Sequence, residues 1–249
     1  MGESEASRLS LGTFHRVCLS LLRETGDFKT ATRHLRPGFC IYDAAAMVKL
    51  VALCVGEKPD RGGLGLDKKV HKPTAIQSQI SSAKNAQISA LRYAELADEE
   101  VRGFDPVVAK VFELYEKGLD QRNAVDFDDM LLLTAAILRD DHHRGIHQAK
   151  WRHVLVDEFQ DTNGAQYEIL KLLTCEHRDV FVVGDSDQAI YGWRGADYTN
   201  QRKFDKDFAV TDDNGRRLRL ETNYRSTQRV LDAAMALISS VKASAELAI

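Results

Sequence analysis

Two short apolar runs constrain this chain more than any other feature. HVLV (153–156) leads into Asp157 and Glu158, and VFVV (180–183) leads into Gly184 and Asp185. Between them, AQYEILKLL (165–173) sets its apolar residues at helical spacing. Strand, helix, strand, long connection, strand, helix is the signature of a parallel α/β sheet. Parallel strands bring their C-terminal ends to one edge, where α/β proteins bind ligands. RLRL (217–220) alternates and predicts a further strand. Ser226 or Thr227 then caps a helix with the stripe Val230, Leu231, Ala234, Leu237, Ile238 and Val241.

The first half reads as helical. Thr13 caps a helix carrying Phe14, Val17, Leu21 and Leu22 on one face. Val108, Val111, Phe112, Tyr115 and Leu119 fall at helical spacing, and Asp126 or Asp128 caps a helix through MLLLTAAIL. Residues 56–73 hold enough Gly and Pro to break any element. At 249 residues the chain makes one large domain or two small ones. Its net charge of −3 excludes a polycation and leaves room for a local basic groove.

The longest nearly apolar stretch, Ala44 to Val55, contains Lys49 and is too short to span a bilayer, so no membrane partner is expected. The spacing of Cys18, Cys40, Cys54 and Cys175 matches no zinc or redox motif. They read as reduced core thiols of a soluble intracellular protein, with nothing to separate cytoplasm, nucleus and organelle. His142, His143 and His147 read as a solvated helix end, and Lys68, Lys69, His71 and Lys72 as a solvated basic loop or a DNA contact.

Three segments carry chemistry. In VLVDEFQDTN (154–163), Asp157 and Glu158 stand where one acid holds Mg²⁺ and the next polarises water, or where two acids are simply solvated. In GDSDQAIYGWRGAD (184–197), Gln188 offers an amide to a phosphate or a water. Tyr191, Trp193 and Arg194 make either a base-stacking platform or a loop anchored in the core. In LETNYRST (220–227), Arg225 stands at a strand-to-helix junction. It serves a transferring phosphoryl group there, or forms a surface ion pair.

The ordered set GTFHR (12–16), SAKN (82–85), VDFDDML (125–131), VDEFQDTN (156–163), VVGDSDQAIYGWRGAD (182–197) and LETNYRST (220–227) resembles UvrD/PcrA/Rep-type superfamily 1 DNA helicases over residues 11 to about 241. The resemblance implies an α/β fold: an incomplete RecA-like (P-loop NTPase) parallel sheet with a helical insertion subdomain. The first motor domain would hold residues 1–36 and 121–223, the insertion 37–120, and the start of a second motor domain 224–249. ATP and Mg²⁺ would be the cofactors. Asp157 would hold the metal, with Glu158 as catalytic carboxylate beside it, and Gln188 would sense the γ-phosphate. Tyr224 would stack on adenine, and Arg225 would contact the γ-phosphate.

Single-stranded DNA would lie on Tyr191, Trp193 and Arg194 and on Thr13, Phe14 and His15. Arg16 departs from the serine common in the family. Single-strand/duplex junctions are the implied substrate, unwound with 3′-to-5′ polarity. The acids of VDFDDML imply caps and ion pairs rather than a metal site. The cleft residues Asp157, Glu158, Gln188 and Arg225 are expected to converge, with Trp193, Arg194 and His15 on a neighbouring groove.

The family also needs GxxxxGK[ST] to cradle phosphates, and none of the sixteen glycines here is followed by Lys. The chain therefore reads as an internal slice of a helicase that is inactive or partial by itself. The other reading is a non-catalytic module that binds single-stranded DNA or a protein partner.

Overall fold

The computed structural model describes residues 9–30, 33–192, 195–211, 214 and 216–246, with side chains to residue 239. In chain order the helices and strands are α1 (Phe14–Thr25), β1 (Phe28–Lys29), β2 (His34–Leu35), β3 (Cys40–Ile41), α2 (Ala44–Gly56), α3 (Pro73–Asn85), α4 (Ala90–Asp98), α5 (Pro106–Gln121), β4 (Ala124–Val125), α6 (Phe127–Arg139), α7 (Asp141–Lys150), β5 (Val154–Val156), α8 (Gly164–Thr174), β6 (Val180–Val182), α9 (Asn200–Phe208) and α10 (Gln228–Glu246). The fold is α/β with short parallel ladders. β5 pairs parallel with β6 in the register Val154↔Val180, Leu155↔Phe181, Val156↔Val182, and α8 is the crossover. β3 pairs parallel with β4, so the chain leaves at Ile41 and returns beside it at Ala124. β1 and β2 form a small antiparallel pair.

Helix starts follow their caps. Thr13 Oγ1 accepts from the Arg16 N–H, and α1 buries Cys18, Leu21 and Leu22. Asp126 caps α6 in a reciprocal box with Asp129, and Asn163 caps α8 in a box with Gln166. Between β3 and β4, helices α2 to α5 bury one core around Val111, Phe112, Tyr115 and Leu119, the residues whose spacing predicts α5. A second core joins α1, α6 and α8 through Leu21, Leu22, Ile137 and Ile169. A third packs Val156, Phe159 and Tyr167 against Phe204 and Phe208 of α9.

Several expectations are corrected. RLRL forms no strand: Leu218 and Leu220 are exposed, and neither pairs with a ladder among the described residues. Arg216 and Arg217 instead tie to α9, through Phe208 O at 2.8 Å and Asp205 at 2.7 Å. The stripe of α10 is also largely exposed, at Val230, Ala234 and Leu237. Only Cys18 and Cys54 are core thiols, which burial pushes up to about 11, whereas Cys40 and Cys175 are exposed. His147 is no solvated helix end. It is buried and stacks on Trp151 with ring centroids 5.5 Å apart, and burial lowers its pKa. No helix among the described residues is long and apolar enough to cross a membrane.

The acids of VDFDDML do make caps and ion pairs. Lys84, at the end of α3, is buried with Nζ 2.8 Å from Asp126 and 2.7 Å from both Asp129 and Glu116. Arg33 adds contacts to Asp129 at 2.9 Å and Glu116 at 3.0 Å, and its Nη2 donates to Ala124 O at 2.6 Å. Tyr115 Oη donates to Asp126 at 2.8 Å. These charges bridge α3, α5 and α6 and so join the first two cores.

Asp128 differs from its neighbours. Burial, then the charge of Asp126, push its carboxyl up to about 6, against hydrogen bonds from Ser81 and Asn85 that lower it. Its folded pKa lies above the unfolded value near 4, so the native state binds the extra proton between about pH 4 and pH 6. Its contribution is therefore most favourable below that window and is lost as pH rises through about 6. Asp128→Asn should stabilise the chain progressively more from pH 4 to pH 6 and by a constant amount above, read as urea midpoints. A pH-independent difference would refute this.

Candidate nucleotide and nucleic-acid site

Parallel pairing of β5 and β6 delivers Asp157 and Gly184 to one end of the ladder, with Asp185 next along. The chain is held there by backbone bonds, Val183 N–H to Val156 O and Phe159 N–H to Val183 O, each 2.8 Å. Asp157 and Glu158 are both exposed. Asp157 Oδ1 accepts the Glu158 N–H at 2.9 Å. Glu158 sits in the left-handed region at φ 51°, ψ 44°, a conformation that costs a non-glycine residue of order 1 kcal/mol or more. The turn continues into a 3₁₀ segment, Phe159–Asp161, whose Phe159 anchors it in the third core.

A chain of hydrogen bonds joins the two acidic motifs. Gln160 Nε2 donates to Glu158 Oε2 at 2.7 Å, Gln160 Oε1 accepts the Asp185 N–H at 3.0 Å, and Gln188 Nε2 donates to Asp185 Oδ2 at 2.8 Å. Gln160 is buried. Gly184 permits its approach, because a Cβ there would stand 2.7 Å from Gln160 Oε1. Asp161 lies against the same turn. Burial raises its pKa, followed by the charge of Glu158, and its Oδ1 is buried without a hydrogen bond. The structure thus brings Asp157, Glu158 and Gln188 to one edge.

Tyr224 and Arg225 are not joined to that edge by any contact among the described residues. Tyr224 is 95% exposed. The turn at 223–226 is held locally, by Asn223 Oδ1 accepting from the N–H groups of Arg225 and Ser226 at 2.9 and 2.8 Å.

The loop after Gln188 folds back on the VDEFQDTN motif. Ala196 forms an antiparallel bridge to Asn163, the Asp197 N–H donates to Thr162 O at 2.9 Å, and Asn200 Nδ2 donates to the same carbonyl at 2.9 Å. Tyr191 is exposed, and Gly195 turns the chain at φ +85°. Trp193 and Arg194 lie outside the described residues.

Of the GTFHR segment, Thr13 is spent on its helix cap. Phe14 is half-buried and packs against the second and third cores. His15 is half-buried edge-on to Phe127, and burial lowers its pKa, so it is a neutral imidazole near pH 7. No contact links it to loop 191–197 among the described residues.

The sequence reading missed Gln160 and Asn85. Both lie inside motifs it singled out, but the partners that join motifs, Asp185 for Gln160 and Asn163 for Asn85, lie 25 and 78 residues away. Among the described residues no three His, Cys, Asp or Glu side chains group as a metal site. Two exposed carboxylates at a strand end fit Mg²⁺ shared with substrate phosphates, the usual arrangement for that ion.

The UvrD/REP helicase N-terminal domain model matches residues 1–209. The chain is 36% identical over 240 residues to the ATP-dependent DNA helicase PcrA of Leuconostoc citreum, covering 96% of this chain and 30% of that protein. It is 36% identical over 236 residues to PcrA of Bacillus subtilis, covering 94% and 30%. With the ATP-dependent DNA helicase UvrD1 of Mycobacterium bovis it shares 35% over 243 residues, again 94% and 30%. The chain spans about a third of the length of these relatives. By a match to most of its length, and with the two acidic motifs hydrogen-bonded at one end of a parallel ladder, the chain belongs to the UvrD/REP helicase family.

Proposed function

We propose that this chain forms part of an ATP-dependent DNA helicase motor. The motor moves 3′-to-5′ on single-stranded DNA, opens single-strand/duplex junctions and works inside the cell. One observation carries the reading: the hydrogen-bonded path from Glu158 through Gln160 and Asp185 to Gln188, with the loop that follows pinned back onto Thr162. A path of that kind connects a hydrolysis site to a nucleic-acid loop.

In this reading Asp157 holds Mg²⁺ with the triphosphate, and Glu158 orients the attacking water and takes its proton. Gln188 reads the γ-phosphate, and the strained Glu158 backbone is part of the preorganisation. Bound Mg²⁺ supplies charge neutralisation on the phosphates. Tyr224 and Arg225 would join the nucleotide from the start of a second motor domain, residues 224–249. Residues 1–36 and 121–223 make the first motor domain and 37–120 its insertion. The parallel β3–β4 neck and the separate core between its strands support that division.

Thr13, Phe14, His15, Tyr191, Trp193 and Arg194 make the single-stranded DNA track, with Phe14 also packing against two cores. The second reading is a non-catalytic module that binds single-stranded DNA or a protein partner.

The DNA track is tested by indole quenching with oligo-dT. One stacked base contributes about 1–3 kcal/mol, so Trp193→Ala should weaken binding by roughly one to two orders of magnitude. The parent affinity should fall with added salt. Trp151, which donates Nε1–H to Ser10 and stacks on His147, supplies the constant background. Equal affinities for parent and variant would reject the stacking role.

A further inference from the structure

Asn85, the last residue of α3, lies where four sequence motifs meet. Its Nδ2 donates to Asp128 Oδ1 and to Ser81 O, both at 2.9 Å, and its Oδ1 accepts from Asn163 Nδ2 at 2.8 Å. Asn163 caps α8 directly after the VDEFQDT turn and bridges to Ala196. Gly195 lies against the same side chain, since a Cβ there would stand 3.2 Å from Asn85 Cβ. The position is rigid because the preceding residue, Lys84, is locked between Asp126 and Asp129.

We propose that Asn85 is a positioning residue that sets residues 195–197 against the acidic strand end. The loop's hold on single-stranded DNA then depends on a side chain that does not itself touch DNA. The DNA half of this statement rests on the reading of that loop as part of the DNA track. The site demands a short planar group that donates to a carboxylate and accepts from an amide. Asparagine meets both demands, aspartate lacks the donor, and alanine lacks both.

The test uses the full chain and two readouts. Amide hydrogen exchange at Ala196 and Asp197 reports loop position without DNA, and amides of α5 report the global fold. Asn85→Ala and Asn85→Asp should each speed loop exchange about tenfold and leave α5 unchanged, the size expected for one or two lost hydrogen bonds. Asn85→Asp combined with Asp128→Asn exchanges donor and acceptor and should restore loop protection. In parallel, the anisotropy of labelled oligo-dT should show about three- to tenfold weaker binding for the two single variants and recovery in the pair.

Unchanged loop exchange in Asn85→Ala overturns the proposal, and so does faster exchange with unchanged DNA affinity. If Asn85→Ala loosens α5 as well, the exchanged pair decides, and failure to restore the loop overturns it. If Trp193→Ala leaves DNA binding intact, the DNA track itself is rejected, while the exchange data still judge the positioning role.

Discussion

Lys84→Met should cost about 3–5 kcal/mol, a large share of the roughly 5–15 kcal/mol by which domains of this kind are stable. The parent ammonium is held above its ordinary pKa by Asp126, Asp129 and Glu116, against a large opposing effect of burial. Asp129 is held below its own ordinary value by Lys84 and Arg33, again against burial. Removing the ammonium leaves Asp129 and Glu116 with only the Arg33 guanidinium between them, and buried Asp126 with the Tyr115 hydroxyl but no cation in contact. Burial, already the largest influence on Glu116 and Asp129, then goes uncompensated.

The sign of the pH response follows. In the parent, stability from Asp129 is present above its unfolded pKa near 4 and is lost as pH falls through its lower folded value. In Lys84→Met the orphaned carboxylates are raised instead, so the native variant gains protons relative to the unfolded chain as pH falls. The gap between parent and variant should therefore narrow from pH 7 to pH 5, read as urea midpoints at both. A loss under about 1 kcal/mol, or a gap independent of pH, would show that the network is not mutually dependent in this way.

The second large effect concerns turnover. This chain by itself should show no DNA-stimulated ATP hydrolysis. Phosphoryl transfer is catalysed mainly by positioning and charge stabilisation, and the usual cradle of backbone N–H groups, Lys and a hydroxyl is a Gly-Lys-Ser/Thr turn that its sequence lacks. Asp157, Glu158 and Gln188 stand at the strand ends, but no described residue supplies that cradle. Without it the rate should fall by several orders of magnitude, to the background of the assay.

The measurement is phosphate release with saturating Mg-ATP and oligo-dT, using Glu158→Gln to expose contaminants. Turnover that DNA stimulates and Glu158→Gln abolishes would mean that another segment binds the phosphates. The glycines at 62–65 would be the first to examine, around the left-handed turns at Gly62 and Gly65.

What could be read from the sequence was local or periodic. The caps at Thr13 and Asp126, the α5 stripe and the β5–α8–β6 unit all follow from residues within one turn or one alternation of each other. The expected convergence of Asp157, Glu158 and Gln188 also holds, because parallel strands must end on the same edge. Arg225 did not join them, since only tertiary contacts could bring it there and its own contacts are local. RLRL alternates as a strand does, yet alternation without a neighbouring strand yields no ladder. The role of Lys84 could not be read from the SAKN motif, because its three carboxylate partners lie 32 to 45 residues away in sequence. Phe14 stands in its motif as a DNA contact, and its packing against two cores could be found only in the structure.

The left-handed backbone at Glu158 puts stability and chemistry in opposition at one residue. Glycine there would adopt φ 51° without steric penalty but would give up the hydrogen bond that buried Gln160 Nε2 donates to the Glu158 carboxylate. Glutamate keeps the carboxylate at the cost of the conformation. Relieving the backbone at this position removes the candidate catalytic acid together with its tie to Gln160, so stabilised versions of this chain should be chosen with position 158 held fixed.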